Sequence, residues 1–311
     1  MISAATDRSR ARPSILSYRR LGRHLEGWLF ASPWIVGFLA FTAGPMLFSA
    51  VMAFTGWDLL TEPRFVGLDN WRLIGGGDPL VLHALRVTTQ YAVIAVPLHV
   101  LCGMALAMLL NTGVRGLRFY RTAYFMPSVL SGVAVALLWR WVFSGQFGLA
   151  NLFLGYVGID GPKWLTDDAW AMPSLVIMSL WAVGGGMVIY LAGLQGIPSD
   201  FYEAAAVDGA GWWARLWHIT IPLMTPALFF QLVTGVIAAL QVFTQPYVMT
   251  NGGPNDATLF YVLYLYRNAF QYFKMGYASA LAWVLFLYIL VLTLLIFRSA
   301  RSWVHYEGER R

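Results

Sequence analysis

Leu223-Met-Thr-Pro-Ala-Leu-Phe-Phe-Gln-Leu-Val-Thr-Gly-Val-Ile-Ala-Ala-Leu-Gln-Val-Phe-Thr-Gln-Pro-Tyr-Val-Met249 contains no Asp, Glu, Lys, Arg or His. A helix crosses the hydrocarbon core of a bilayer with about 20 mostly apolar residues, so this stretch is long enough to span it. Its polar residues are not scattered. Gln231, Thr234, Ala238, Gln241 and Gln245 recur at spacings of three, four, three and four, which is one face of a helix rising through roughly 21 Å. Glutamine facing lipid is unfavourable, so the stripe is expected to face inward. It either lines a wet pathway or bonds to a neighbouring helix. Thr244 lies beside it. Pro246 cannot donate to the carbonyl of Val242, which leaves that acceptor free.

Five more apolar blocks flank this one, near Trp28–Phe54, Arg86–Leu110, Thr122–Phe143, Ala169–Leu191 and Tyr277–Phe297. The chain of 311 residues is 59% hydrophobic and 12% charged, about half the charged fraction of a soluble domain. No run of alternating polarity signals a barrel. The fold expected is an all-α integral membrane protein with about six transmembrane helices. Met1–Gly27 is basic and polar, and the block after it is too long for a signal-peptide core, so it reads as a retained span.

The basic residues fall in alternate loops. Arg8, Arg10, Arg12, Arg19, Arg20, Arg23, Arg115, Arg118, Arg121, Arg215, Arg298, Arg301, Arg310 and Arg311 lie on one side. Arg64, Arg72, Lys163, Arg267 and Lys274 lie on the other. Fourteen against five predicts both termini in the cytoplasm. The net charge of +6 is accounted for this way rather than by nucleic acid. Arg86 and Arg140 sit near outward span ends, within snorkelling reach of the interface. Ser14–Glu26 reads as an interfacial helix or a lead-in. Cys102, the one cysteine, excludes an internal disulfide.

Neither lysine lies in a phosphate-binding G-x-x-x-x-G-K-[ST] loop, and no H-E-x-x-H pair is present, so no nucleotide, cofactor or metal site is expected in this chain. The spans lack acidic residues, which disfavours a proton-coupled secondary carrier. His99, within the second span, is either functional or a neutral histidine bonded to a neighbour. Asp208-Gly209 is an isolated pair, short of the acidic array a membrane phosphotransferase would need for metal and diphosphate.

The loop between spans four and five reads Gln195-Gly-Ile-Pro-Ser-Asp-Phe-Tyr-Glu-Ala-Ala-Ala-Val-Asp-Gly-Ala-Gly-Trp-Trp-Ala-Arg-Leu-Trp-His-Ile-Thr-Ile-Pro222. Pro198 and Ser199 are helix-start residues. Asp200 and Glu203 suit the positive end of the helix dipole. Gly209 and Gly211 can end a helix in left-handed conformation. The expectation is a helix of about two turns, then a second around Trp212–Ile219 that stops before Pro222. Glu203 and Asp208 offer carboxylates to a partner's arginine, while the alanines permit close approach. A solvated helical linker would use the same composition.

The spacing Glu203-Ala204-Ala205, Gly209, Ile219-Thr220-Ile221-Pro222 resembles the EAA loop of binding-protein-dependent ABC importer permeases, with Ile221 where that pattern has leucine. The likeness runs over roughly 27–301. In that family the loop is the coupling helix that docks on the ATPase, which implies this role for Glu203, Ala204, Ala205, Asp208 and Gly209. Trp212 and Trp213 are expected to pack the loop against the spans or that interface.

Leu191–Pro198, Phe201–Ala210 and Phe65-Val-Gly-Leu-Asp-Asn-Trp71 are similar to sugar permeases of the maltose and glycerol-3-phosphate class. Thr250-Asn-Gly-Gly-Pro254 with Tyr264 and Ala269-Phe270 resembles the MalF-like rather than the MalG-like subunit. The resemblance implies a bacterial inner-membrane complex with a second, MalG-like permease, two ATPase subunits and an external solute-binding protein. The turn at Gly252-Gly253-Pro254 either receives that protein or is a plain loop breaker.

The chain divides into 1–26, a cytoplasmic lead-in; 27–301, the permease domain with its coupling loop 195–222; and 302–311, a cytoplasmic tail. Its candidate substrate pathway comprises Gln241, Gln245, Thr244, Gln231 and Thr234, with Trp181 as a stacking face and Ser128 after Pro127. Uncharged amides and hydroxyls suit a neutral, hydroxyl-rich solute such as a sugar; glycerol 3-phosphate or another polar solute is the alternative. Gly184-Gly185-Gly186 is expected to allow close helix packing or a break.

Overall fold

The computed structural model describes residues 15–112 and 115–305, with side chains from Gly27 onward. The basic residues Arg8, Arg10, Arg12, Arg310 and Arg311 lie outside the described residues. So does Ser14; from Ile15 the basic stretch continues into the first span as one helix, Ile15–Phe38. Among the described residues four helices are long and apolar enough to cross a membrane: Gly27–Met52, Pro79–Leu110, Trp212–Met249 and Met275–Trp303. Two bent pairs bring the number to six when each pair is counted as one span. Leu117–Val129 meets Gly132–Val142 at 99°, and Asp168–Leu180 meets Gly184–Gly196 at 48°.

The six expected spans are therefore present, but the third and fourth are not straight. In the third, Pro127 lacks an amide hydrogen. The helix tightens to a 3-10 turn over Met126–Val129 and then opens, with Leu130 extended at φ −71°, ψ 149°. In the fourth, the helix stops at Leu180 and resumes at Gly184. Both expectations for the glycine run hold, because the break and the close packing fall at the same place. A Cβ on Gly184 would lie 1.9 Å from the carbonyl oxygen of Tyr124, and one on Gly185 3.3 Å from Cβ of Ser128. The two broken spans cross where these glycines let backbone meet backbone.

The second span is the central post. It packs against both halves of the fourth, against the fifth and against the short helix Tyr261–Tyr266. Lipid tails are as apolar as leucine, so contact between spans depends on close van der Waals fit and small residues. Ala84 and Ala107 are fully buried, and Gly103 makes room for the ring of Tyr190, which a Cβ there would approach to 2.9 Å. The first span is peripheral, with 6% of its apolar window buried. It leans on the sixth span through Gly44–Met52.

On the side expected to face outward, Thr55–Gly56 pairs antiparallel with Arg64–Phe65. The Asn70 amide donates to the carbonyls of Ala53 (3.0 Å) and Thr55 (2.9 Å), fixing the end of the first span. Asp78 caps the second span by accepting from Leu80 N–H at 3.0 Å. Its other oxygen accepts from the phenols of Tyr264 and, at 2.6 Å, Tyr277. One carboxylate thus ties the second span, the helix Tyr261–Tyr266 and the start of the sixth span together. Burial, then the bond to Asp78, pushes the Tyr264 phenol up to about 12.

Candidate functional site

A cavity of about 500 Å³ opens where spans two, three, four and five converge. The breaks create it. The turn Pro127–Ser128 and Gly132 of the third span form one wall, and Ala182, Gly186 and Tyr190 of the fourth form another. The fifth span contributes Gln231, Thr234, Ala238 and Gln245; the second contributes Tyr91, Ala95 and His99. No Asp, Glu, Lys or Arg is among the lining residues.

The hydrogen-bond inventory shows which groups are free for a ligand. His99 Nε2 lies 3.1 Å from Ser179 Oγ, and Ser179 itself donates to Val176 O at 2.7 Å. The serine proton being used, the histidine is the donor between them; His99 is bonded to a neighbouring span. Ser128 donates to Phe125 O (2.7 Å) and Thr234 to Phe230 O (2.8 Å), which leaves each oxygen as an acceptor. The Gln231 amide nitrogen occupies the space beside Gly186, 2.3 Å from where a Cβ would stand. Tyr190 is 1% exposed, and its hydroxyl has no hydrogen-bond partner among the described residues. An unpaired buried hydroxyl is unfavourable, and this one borders the cavity.

Of the expected pathway residues, Gln231, Thr234, Gln245 and Ser128 come together here. Three others do not. Gln241 is exposed and borders a separate crevice with Leu265, Ala282 and Phe286. Thr244 is half-buried, its methyl 3.9 Å from the site of a Gly132 Cβ. Trp181 stands edge-on to Trp139, ring centroids 6.0 Å apart, outside the cavity wall. The single stripe fails because the helix does not run straight through it. It ends at Leu240, and Gln241 closes it with a bond to Ala238 O; helix resumes only at Thr244. The missing amide of Pro246 lies one turn beyond, where the Val242 carbonyl would have been paired. Periodicity alone did not single out Tyr190; its signal is a phenol one helical turn beyond Gly186.

The loop expected to couple is a distinct structure. Ser199–Val207 is helical, and Gly209 N–H bonds Ala206 O (3.1 Å) while Ala210 N–H bonds Ala205 O (2.8 Å). That pair of bonds is a Schellman ending, and Gly209 holds its left-handed φ of +76°. Three local expectations need correction. Ser199 is the first helical residue and makes no capping bond, since Pro198 occupies the cap position. Gly211 is extended, φ −70°, ψ 174°, and begins the next helix rather than ending the last. That helix does not stop before Pro222. A wide turn over Leu216–Thr220, with Ile221 N–H bonded to Leu216 O, carries it into the fifth span. The widened turn relieves the proline ring of the carbonyl it would otherwise strike.

Arg215 Nε donates to Ala210 O at 2.8 Å, and Tyr202 and Thr220 share a 3.0 Å hydroxyl bond. These two contacts join the Ser199–Val207 helix to the foot of the fifth span. Glu203, Ala204, Asp208 and Gly209 are exposed and Ala205 half-exposed. Trp212 and Trp213 pack edge-to-face at 4.6 Å yet are 59% and 67% exposed. Most of each ring is open rather than covered by this chain's spans.

Residues 99–303 match the family described as binding-protein-dependent transport system inner membrane component. The chain is 43% identical over 290 residues to the probable ABC transporter permease protein YesP of Bacillus subtilis (strain 168), covering 92% of this chain and 94% of that protein. It is 35% identical over 286 residues to the lactose transport system permease protein LacF of Rhizobium radiobacter, covering 89% and 95%. In fold it is similar to a chain of a bacterial ABC transporter involved in the import of the acidic polysaccharide alginate. The TM-score is 0.80 at 24% identity, covering 92% of this chain and 98% of that one.

Proposed function

Because this chain belongs to the family of binding-protein-dependent inner-membrane transport components, and is therefore a multi-pass permease subunit of an ABC importer, we propose that it forms one half of a pathway for a neutral sugar. The observation that carries this reading is the cavity wall. It offers the amides of Gln231 and Gln245, the oxygens of Ser128 and Thr234 and the unpaired phenol of Tyr190, and no charged side chain. Such groups pair with sugar hydroxyls. A phosphorylated solute such as glycerol 3-phosphate would find no cation on this wall. The relative named for lactose transport supports the same class.

The working complex in this proposal has a second, MalG-like permease facing the cavity, two ATPase subunits below and an external solute-binding protein above. Both termini are cytoplasmic. Glu203, Ala204, Ala205, Asp208 and Gly209 meet the ATPase. The exposed Trp212 and Trp213 flank that contact. Closure of the ATPases pushes the Ser199–Val207 helix, and the bonds Arg215–Ala210 and Tyr202–Thr220 pass the displacement to the foot of the fifth span. That span carries Gln231, Thr234 and Gln245, so a movement at the loop reaches the cavity wall along one helix as far as Leu240. The glycine-lined crossing of spans three and four is the opposing wall.

The experiment is to purify the cognate solute-binding protein and measure which sugars raise its melting temperature. The complex in proteoliposomes is then assayed for ATP hydrolysis. A neutral sugar should both stabilise the binding protein and, on it, stimulate hydrolysis. Stimulation only by a charged solute would reject the neutral-sugar pathway.

A further inference from the structure

A second concavity, about 470 Å³, lies between the second and sixth spans. It is lined by Arg86 and Gln90, one turn apart, by Thr89 and Tyr288, and by apolar residues including Val93 and Ile94. Arg86 and Gln90 are exposed, and neither makes a hydrogen bond or ion pair among the described residues. Tyr288 and Thr89 are already bonded to one another at 2.9 Å, with the threonine proton on Leu85 O at 2.7 Å. The groove therefore presents one guanidinium, one amide and apolar walls, and no carboxylate to neutralise the charge.

Its position decides what fills it. Arg86 and Ala95 are nine residues apart on one helix, about two and a half turns, and so on opposite faces. Ala95 borders the cavity; Arg86 faces away from it. On the reading of that cavity as a pathway shared with a second permease, on which this inference rests, the groove is turned to lipid.

Depth agrees. The second span has 32 residues, about 48 Å, and upright and centred on a core of about 30 Å it would overhang by roughly 9 Å at each end. Arg86 lies seven residues in from Pro79, about 10 Å. That is the boundary where phosphates end and acyl chains begin. A cation facing lipid at that depth is stabilised by an anion, and guanidinium with amide fits a phosphodiester.

We propose that this groove is a site for one anionic phospholipid, with its phosphodiester on Arg86 and Gln90 and an acyl chain running past Val93 and Ile94. A zwitterionic lipid would bring an ammonium for which the groove has no carboxylate.

The test uses the whole importer complex, delipidated in detergent and followed by native mass spectrometry while phosphatidylglycerol or phosphatidylcholine is added. Wild type should retain phosphatidylglycerol and ignore phosphatidylcholine. Arg86→Gln should weaken phosphatidylglycerol binding about tenfold or more, Arg86→Lys less, and Gln90→Leu detectably. Equal binding of both lipids, or unchanged binding by Arg86→Gln and Gln90→Leu, would overturn the site. So would loss of the second permease from the Arg86→Gln complex, which would make this face a subunit contact. Sugar-dependent ATP hydrolysis of wild type, measured alongside, reads the importer pathway separately. Its failure with lipid binding intact would sink the pathway and not the lipid site.

Discussion

A Cβ on Gly184 would stand 1.9 Å from the carbonyl oxygen of Tyr124. The neighbour is backbone, so it cannot swing aside. The third and fourth spans, each interrupted, meet at that contact, and the cavity lies beside it.

Gly184→Ala should therefore separate the third and fourth spans and destabilise the fold by about 1–3 kcal/mol, the usual penalty of overpacking. Gly196→Ala, where nothing lies within 4 Å of an added Cβ, serves as control. Thermal melting of the purified complex checks this; equal melting of both variants would show that the contact carries no strain.

In the coupling loop, Gly209→Val should abolish uptake while insertion persists. A β-branched residue at φ +76° is strained, and the Schellman ending would open. Gly209→Asn, which tolerates left-handed backbone, should keep part of the activity. Glu203→Lys reverses an exposed charge and should release the ATPase subunits in a pull-down. Full uptake by Gly209→Val or by Glu203→Lys would remove that residue from transmission.

Along the fifth span, Gln231→Leu and Gln245→Leu should depress uptake, each leaving substrate hydroxyls unpaired at about 1–3 kcal/mol. Gln241→Leu should not, since that side chain borders the other crevice. Initial uptake rates and melting temperatures are measured together. Lower stability with normal uptake in the first two variants would assign them to helix contact instead.

Tyr190→Phe removes a hydroxyl that has no partner among the described residues. It should leave stability unchanged or raised, because an unpaired buried group is lost, and should slow uptake if a substrate hydroxyl uses it. Reduced stability would mean the phenol bonds to something in the fold.

Reporter fusions at Asn151 and after Arg311 should emerge on opposite sides of the membrane, with the C-terminus cytoplasmic. Both on one side would contradict the six-span topology.

Much of this fold is legible in the sequence because apolar length is a nearly sufficient signal for a membrane helix. Gly209 is legible for a similar reason: its neighbours Ala205 and Ala206 need their carbonyls paired, and a left-handed glycine does it. Local irregularity is harder to read. Pro127 and Gly184 announce that something departs from straight helix, but the 99° turn depends on how the two spans meet. Pro246 marks a disturbance in the fifth span without saying that Gln241 will turn aside while Gln245 rejoins the cavity. Ser199 is a reasonable cap by type, yet Pro198 takes the non-helical position. Tyr190 escaped because a tyrosine in a span has no periodic partner, and its unpaired hydroxyl is a fact of packing.

The paired breaks also bear on how the protein is made. Gly132–Val142 has 11 residues, a rise of only about 16 Å, and cannot cross a core of about 30 Å alone. Its bent partner completes the crossing, but the shape of that bend is set by contact with Gly184 and Gly185. During synthesis those glycines leave the ribosome only after the whole third span and the segment Leu149–Tyr156. The third span is thus synthesised before the mate it packs against. A chain truncated before Gly184 should therefore expose an unfinished third span to the cell's membrane quality control.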